Sequence, residues 1–164
     1  MGIAFLGDRP EEGLPHLERA LALNPNSLLV VRYAGLVFGM VGNHARGLAL
    51  YERTMQINPL DTWAFETYFG IALLHFFAGR FEEAIGWANK ALEERPELRH
   101  ALYVKAAAMA AADRPRNELQ EVVQRLLTSA PGTSIEAVRQ RMFGFRQVDV
   151  EAFSAGLRNA GLPE

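Results

Sequence analysis

The chain of 164 residues contains no cysteine. This absence excludes a disulfide, a thiolate zinc site and a cysteine nucleophile. No excess of one charge is present either, because 17 basic residues stand against 19 acidic ones, mixed in sign along the chain. Without a basic patch, nothing in the sequence favours binding to nucleic acid or to an anionic membrane surface. We therefore expect neither as a partner.

Long hydrophobic runs are also missing, since no segment approaches the roughly 20 apolar residues needed to span a bilayer. Residues 68–78 form the most apolar segment, but Gly70 and His75 interrupt it, as is typical of a buried helix. The N-terminal segment Met1–Leu6 is apolar, yet no basic residue precedes it, which is unlike a signal peptide. These features predict a cytoplasmic chain, and the lack of cysteine agrees with that prediction.

A constellation suited to catalysis is not found. No histidine has a second histidine or paired carboxylates at metal-ligand spacing on the same helix face, and we interpret His75 as a core residue. The neighbours Glu82 and Glu83 would point about 100° apart on a helix, so they cannot act as a carboxylate dyad. We predict no catalytic, cofactor-binding or metal-binding residue, no cofactor, and no enzymatic activity. The four histidines are His16, His44, His75 and His100.

Four prolines recur at nearly constant spacing, and small residues precede them at fixed offsets. Twelve residues before the first three prolines stand Gly13, Gly47 and Ala84, and five residues before them stand Ala20, Thr54 and Ala91. A proline ends a helix, and small residues seven apart share the helix face where a neighbouring helix comes close. The spacing thus predicts repeated helix pairs. The prolines are Pro25, Pro59, Pro96 and Pro131, spaced 34, 37 and 35 residues apart.

Apolar residues between these markers recur at helical spacing, and no alternating run is long enough for a strand. The sequence predicts an all-α fold. The expected helices cover 10–23, 28–41, 44–57, 61–78, 81–94, 98–112 and 115–129. A capping box of Thr133 with Glu136 predicts a further helix over 134–142, and Asp149 is expected to cap a last helix over 150–160.

The repeat resembles the tetratricopeptide repeat, a helix-turn-helix unit of 34 residues. The fit is best over Leu28–Pro59 and good over Gly79–Pro96, whereas the fourth copy carries Leu119 and Leu126 in place of small residues and Arg114 where a glycine is expected. The resemblance implies a right-handed solenoid of antiparallel helix pairs that binds a protein or peptide. We expect the repeat array over residues 1–131, followed by two capping helices over residues 132–164.

Two departures from the repeat carry further expectations. The first helix of the first repeat would be cut in half before Asp8, leaving its partner helix exposed. Because Leu14, Leu17 and Leu21 then could not all face the second repeat, this end is a candidate homodimer contact. The spacing of 37 residues before Pro96 predicts an additional helical turn over residues 60–65.

The ending Phe153–Glu164 (FSAGLRNAGLPE) resembles the C-terminal tail of repeat regions in bacterial class III adenylate cyclases and winged-helix regulators. That resemblance implies the C-terminal repeat region of a bacterial signalling protein. The tail helix could dock either on the exposed side of the fourth repeat or in the groove around Phe69 and Phe76, and the groove is the favoured site.

The first helices of the repeats should line a concave, peptide-binding groove. Leucines at 36 and 73 stand where peptide-clamping relatives carry asparagine, so an apolar peptide or an amphipathic helix is the expected ligand. Self-association of a larger cyclase or regulator is the alternative function. The predicted groove residues are Leu29, Arg32, Leu36, Met40, Glu66, Phe69, Leu73, Phe76, Phe77 and Ala101, with Val104 or Lys105 and Ala108 following in the fourth repeat.

Overall fold

A computed structural model of the chain describes residues 9–164. This part of the chain folds into nine helices and contains no strand, so the predicted all-α fold is confirmed. The helices are α1 (Pro10–Leu23), α2 (Leu28–Met40), α3 (His44–Ile57), α4 (Ala64–Phe77), α5 (Phe81–Glu94), α6 (Arg99–Ala111), α7 (Arg116–Ser129), α8 (Ile135–Arg141) and α9 (Gln147–Ala160).

Three tight turns join α2 to α3, α4 to α5 and α6 to α7. Each contains one residue with a positive φ: Gly42 at 84°, Gly79 at 72° and Asp113 at 53°. The next residue in each turn donates a backbone hydrogen bond to a carbonyl five residues earlier, as in Asn43 N to Phe38 O at 2.8 Å. Such a turn reverses the chain, so the two helices of a pair run antiparallel. In the third turn the left-handed residue is Asp113, one residue before the predicted Arg114.

Small residues lie where the helices meet, as the spacing predicted. Ala84 and Ala91 have no exposed surface, and Thr54 is 2% exposed. At Gly47 an added Cβ would lie 2.6 Å from Leu74 Cδ1 and 2.9 Å from the carbonyl oxygen of Gly35. The helices therefore approach to backbone distance at these positions, and a larger side chain there would push them apart.

The predicted additional helical turn before α4 is wrong. Residues 58–63 instead form turns, in which Asp61 N bonds to Asn58 O at 3.3 Å and Ala64 N bonds to Asp61 O at 3.0 Å. The Asn58 side chain accepts a hydrogen bond from the amide of Leu60, which stabilises this non-helical conformation. The additional residues lengthen the loop, and α4 begins at Ala64.

The first described helix packs more completely than predicted. Leu17 and Leu21 are buried against α2, and Leu14 packs on the same apolar cluster at partial burial. All three leucines thus face the second repeat, and the apolar patch expected at this end does not form on α1. The predicted truncated helix before Asp8 lies outside the described residues.

The two C-terminal helices begin differently from the sequence prediction. Ser134, rather than Thr133, caps α8 by accepting a hydrogen bond from the amide of Ala137 at 3.2 Å. The last helix begins at Gln147, so Asp149 lies in its first turn instead of capping it. Thr133 and Asp149, the two residues predicted to cap these helices, have buried side chains instead, and each contacts another part of the fold.

Candidate functional site: a concave groove shared with the tail helix

The predicted groove residues differ widely in exposure. Leu29, at the start of α2, is 76% exposed, whereas Ala101 has no exposed surface. Met40, Leu73 and Phe76 are buried as well. The remaining predicted residues are half-buried: Arg32, Leu36, Glu66, Phe69 and Phe77. Along α2 and α4 the predicted residues are thus more exposed near the beginning of the helix, whereas Ala101, near the beginning of α6, is fully buried.

The covering element is the tail helix α9, which packs mainly on α6 and also contacts α4. The Phe153 ring lies 5.3 Å from the Phe76 ring and 6.3 Å from the Phe77 ring, edge-on to both. Farther along α9, a Cβ added to Gly156 would lie 3.0 Å from Cβ of Ala107. One helix thus spans the first helices of two consecutive pairs. It lies mainly on the fourth repeat and reaches Phe76 and Phe77 of the third, so it combines parts of the two surfaces that the sequence left open.

On α6, Ala107 lies against Gly156 of the tail helix, and Tyr103 contacts the segment that precedes α8. The Tyr103 hydroxyl lies 3.3 Å from the hydroxyl of Thr133, in the segment leading to α8. Tyr103 and Ala107 each lie one residue before a position predicted from the sequence. Those predicted positions were Val104 or Lys105, and Ala108. The signal that could have found them is Asp113, because an aspartate tolerates the left-handed conformation and marks the turn from which the register is counted.

A polar contact fixes the start of the tail helix to the turn between α2 and α3. Arg146 donates two hydrogen bonds to the Asp149 carboxylate, at 2.8 and 3.0 Å. The same carboxylate lies 3.7 Å from Nε2 of His44, and the His44 ring lies 5.6 Å from the Phe77 ring. Nε2 of His44 is buried without a hydrogen-bond partner. No local sequence signal predicts this contact, because it joins residues about a hundred positions apart.

Burial lowers the pKa of His44, since removal from water disfavours the charged imidazolium. Asp149 opposes this effect, while Arg146 and Arg80 add to it. The net direction keeps His44 neutral near pH 7. The contact between His44 and Asp149 is then a polar contact and not an ion pair.

The part of the concave face that α9 leaves open is lined by Leu29, Arg32, Glu66, Phe69 and His100, and we call it the open half of the groove. The Phe69 ring lies 5.5 Å from the His100 ring, which joins α4 to α6 across this surface. Burial lowers the pKa of His100, with Glu66 acting in the opposite direction. The lining is therefore mixed, with the apolar side chains of Leu29 and Phe69 beside Arg32, Glu66 and His100.

Arg32 belongs to a polar network behind the open half. Its guanidinium pairs with Asp61 and donates a hydrogen bond from Nε to the Thr67 hydroxyl at 3.1 Å. That hydroxyl lies 3.1 Å from the hydroxyl of Thr54 on α3. The network braces three helices, and it uses the arginine as a structural group. A ligand carboxylate would have to compete with Asp61 for it.

Neither a metal site nor a membrane span is found in residues 9–164. No three histidine or acidic side chains come together there in a way that could hold a metal ion. None of the described helices has both the length and the apolar character needed to cross a bilayer. His75, predicted as a core residue, is only half-buried and accepts a hydrogen bond from Arg80 at 2.9 Å.

Comparison with solved structures supplies the fold. MamA 41-end from Desulfovibrio magneticus RS-1 superposes with a TM-score of 0.64 at 16% identity, covering 92% of this chain and 85% of that one. The first TPR of Spaghetti (RPAP3) bound to an HSP90 peptide gives 0.56 at 19% identity, covering 80% and 93%. The fold is a tetratricopeptide-repeat (TPR) solenoid. The right-handed stack of helix pairs predicted from the sequence is thereby confirmed.

A third TPR structure, YrrB, described as having an unusual peptide-binding site, gives a TM-score of 0.56 at 14% identity, covering 92% of this chain and 76% of that one. At these identities the likeness concerns the fold alone. No protein-family model matches the chain, and no curated protein matches it. Beyond the fold, the comparisons therefore give no information about the groove and the tail of this chain.

Proposed function

We propose that this TPR array is a protein-interaction module that binds an apolar peptide or an amphipathic helix in the open half of its groove. The observation that carries the proposal is the tail itself. Helix α9 lies on the concave face with Phe153 against the rings of Phe76 and Phe77. A concave surface that holds one amphipathic helix has the shape and the apolar character to take another segment beside it.

The tail is too well packed to be the segment that a ligand displaces. Val150, Phe153, Leu157 and Ala160 are all buried, and Leu157 has no exposed surface. Burying four such side chains contributes roughly 4–10 kcal/mol before the cost of ordering the helix. A ligand that expelled α9 would have to offset this term. We therefore assign the ligand to the open half, where Leu29 is already exposed to solvent.

The experiment is a selection of random peptides on the full chain, followed by affinity measurements on groove variants. Leu29→Asp places a charge on an exposed groove position, and Phe69→Ala removes an apolar floor residue. We expect each variant to bind the selected peptides at least about tenfold more weakly, because the ligand loses apolar contact area. The matched control is Leu23→Asp, which changes another leucine, 69% exposed, at the end of α1.

The control should bind as the parent does. Failure to enrich any peptide would contradict the proposal. So would peptides whose affinity is unchanged by both groove substitutions, because such peptides bind elsewhere on the surface. Circular dichroism melting of each variant checks that a loss of binding does not reflect unfolding.

The wider setting remains a prediction from the sequence. A non-catalytic role, a cytoplasmic location and a place as the C-terminal region of a bacterial signalling protein rest on composition and on the ending Phe153–Glu164. The division into an array over 1–131 and capping helices over 132–164 is likewise proposed. It is supported by the polar outer face of α7, since a terminal repeat needs such a face. That face carries the exposed residues Asn117, Gln120, Gln124 and Thr128.

A further inference from the structure

Helix α9 has a second apolar face, which points away from the groove. Val148 on this face is 61% exposed, and Ala152 and Ala155 are exposed as well. With Asn159, these residues follow one line along the helix, at spacings of four, three and four. The opposite face carries the buried residues that pack on α6. A tail that only capped the solenoid would need just the inner apolar face.

The outer face borders an apolar groove between α9 and the turns of the third and fourth helix pairs. This groove has a volume of about 430 Å³, and Phe76, Phe77 and Phe81 lie along it. No other element in residues 9–164 covers Val148, which remains largely in water. An exposed apolar residue beside an apolar groove offers a surface on which a second helix can pack.

The charges beside this face identify the partner as a second copy of the chain. Glu151 and Arg158 are exposed, and they lie seven residues apart on the same flank of α9. If two α9 helices pack antiparallel with Ala152 facing Ala155 of the second copy, Glu151 lies beside Arg158 of the second copy. The two-fold axis repeats this contact, so two ion pairs form, each between a glutamate of one copy and an arginine of the other.

We propose that the chain forms a two-fold dimer through the outer face of α9, packed antiparallel. The alanines allow the helices to approach closely, and the groove beside them accommodates the flank of the second helix. In the single chain, Glu151 accepts a hydrogen bond from Gln147 and Arg158 pairs with the exposed Glu164. Such surface pairs are weak and can be exchanged.

The predicted dimer is dependent on concentration. A helix of 14 residues is about 21 Å long. Its outer face is smaller than the roughly 800 Å² per partner of a standard stable interface, so the affinity should be modest. This surface differs from the open half of the groove and from the N-terminal end, so neither site is needed for the association.

The experiment is sedimentation equilibrium of the full chain over a wide concentration range, with charge-reversed variants. Glu151→Arg alone and Arg158→Glu alone each place like charges together twice, and each should weaken the dimer at least about tenfold. The double reversal restores both pairs in the opposite sense and should recover most of the affinity. The control Glu93→Arg makes the same charge change on an exposed position of α5 and should leave the dimer unchanged.

Ala152→Glu provides a second, independent variant, since it puts a charge at the centre of the interface and should give a monomer. A parent chain that stays monomeric at every concentration overturns the proposal. A dimer that tolerates Glu151→Arg, or one that the double reversal does not rescue, overturns it as well. Peptide binding in the open half is unaffected by either result, so this proposal and the proposed function fail separately.

Discussion

The Phe153 ring of the tail helix stands edge-on to the Phe76 ring of α4, with 5.3 Å between the centroids. Edge-to-face pairs at this distance stabilise a fold beyond the area that they bury. The contact joins a residue near the C-terminus to the third repeat, and it secures the tail on the concave face.

Replacing Phe153 with alanine should therefore lower the free energy of unfolding by about 3–5 kcal/mol, because the side chain is 3% exposed and leaves a cavity. Urea denaturation of Phe153→Ala, Phe76→Ala and the double variant gives the coupling energy between the rings. We expect about 0.5–1.5 kcal/mol. Additive losses would show that the rings do not interact.

Two glycines inside helices should respond in opposite ways to alanine. Gly86 on α5 is exposed and has no atom within 4 Å of an added Cβ, so Gly86→Ala should stabilise the protein by about 0.5–1 kcal/mol. Gly47→Ala gains the same helix propensity but meets Leu74 and the backbone of Gly35, and it should destabilise by about 1–3 kcal/mol. Denaturant midpoints of the two variants check both signs.

The small-residue register makes a further prediction at Ala84, which has no exposed surface between its neighbouring helices. Ala84→Phe should cost about 1–3 kcal/mol through overpacking. An unchanged denaturant midpoint would mean that the helices do not meet at this position. Asn89→Phe on the same helix, at a half-buried position, serves as the comparison and should cost less.

Stability should depend on pH through His44. Burial lowers the pKa of His44 in the folded state below its ordinary value of 6.5, so folding favours the neutral ring. This contribution is present above pH 6.5 and is lost as the pH falls through the folded-state pKa. The interval from pH 7.5 to pH 5 spans roughly the ordinary histidine pKa. Over this interval the parent should thus lose more stability than His44→Gln. Equal losses in both chains would show that His44 is not desolvated when folded.

Much of the array could be predicted from the sequence, because its signals are local. Prolines end the helices, and Gly42 and Gly79 mark turns through their backbone conformation. Residues 58–63 could not be predicted in the same way. Their helical and turn conformations differ by a few side-chain hydrogen bonds, such as the one from Leu60 N to Asn58 at 3.2 Å.

The contacts of the site were harder to predict, since they join distant parts of the chain. The apolar spacing of the tail indicated that it docks, and its length left two surfaces within reach. The pairing of His44 with Asp149 depends on where α9 starts, and the sequence placed that start three residues late. An exposed second face on α9 becomes visible only once the inner face has been assigned.

The central claim is that the tail holds one half of the concave groove and leaves the other half for a ligand. Titration of the ¹⁵N-labelled chain with a selected peptide, followed by NMR, tests it most directly. We predict that the amides of Leu29, Phe69 and His100 shift, while those of Gly42 and Gly156 stay in place. Shifts confined to the outer surfaces of α5 or α7, with the amides of Leu29, Phe69 and His100 unchanged, would contradict the account.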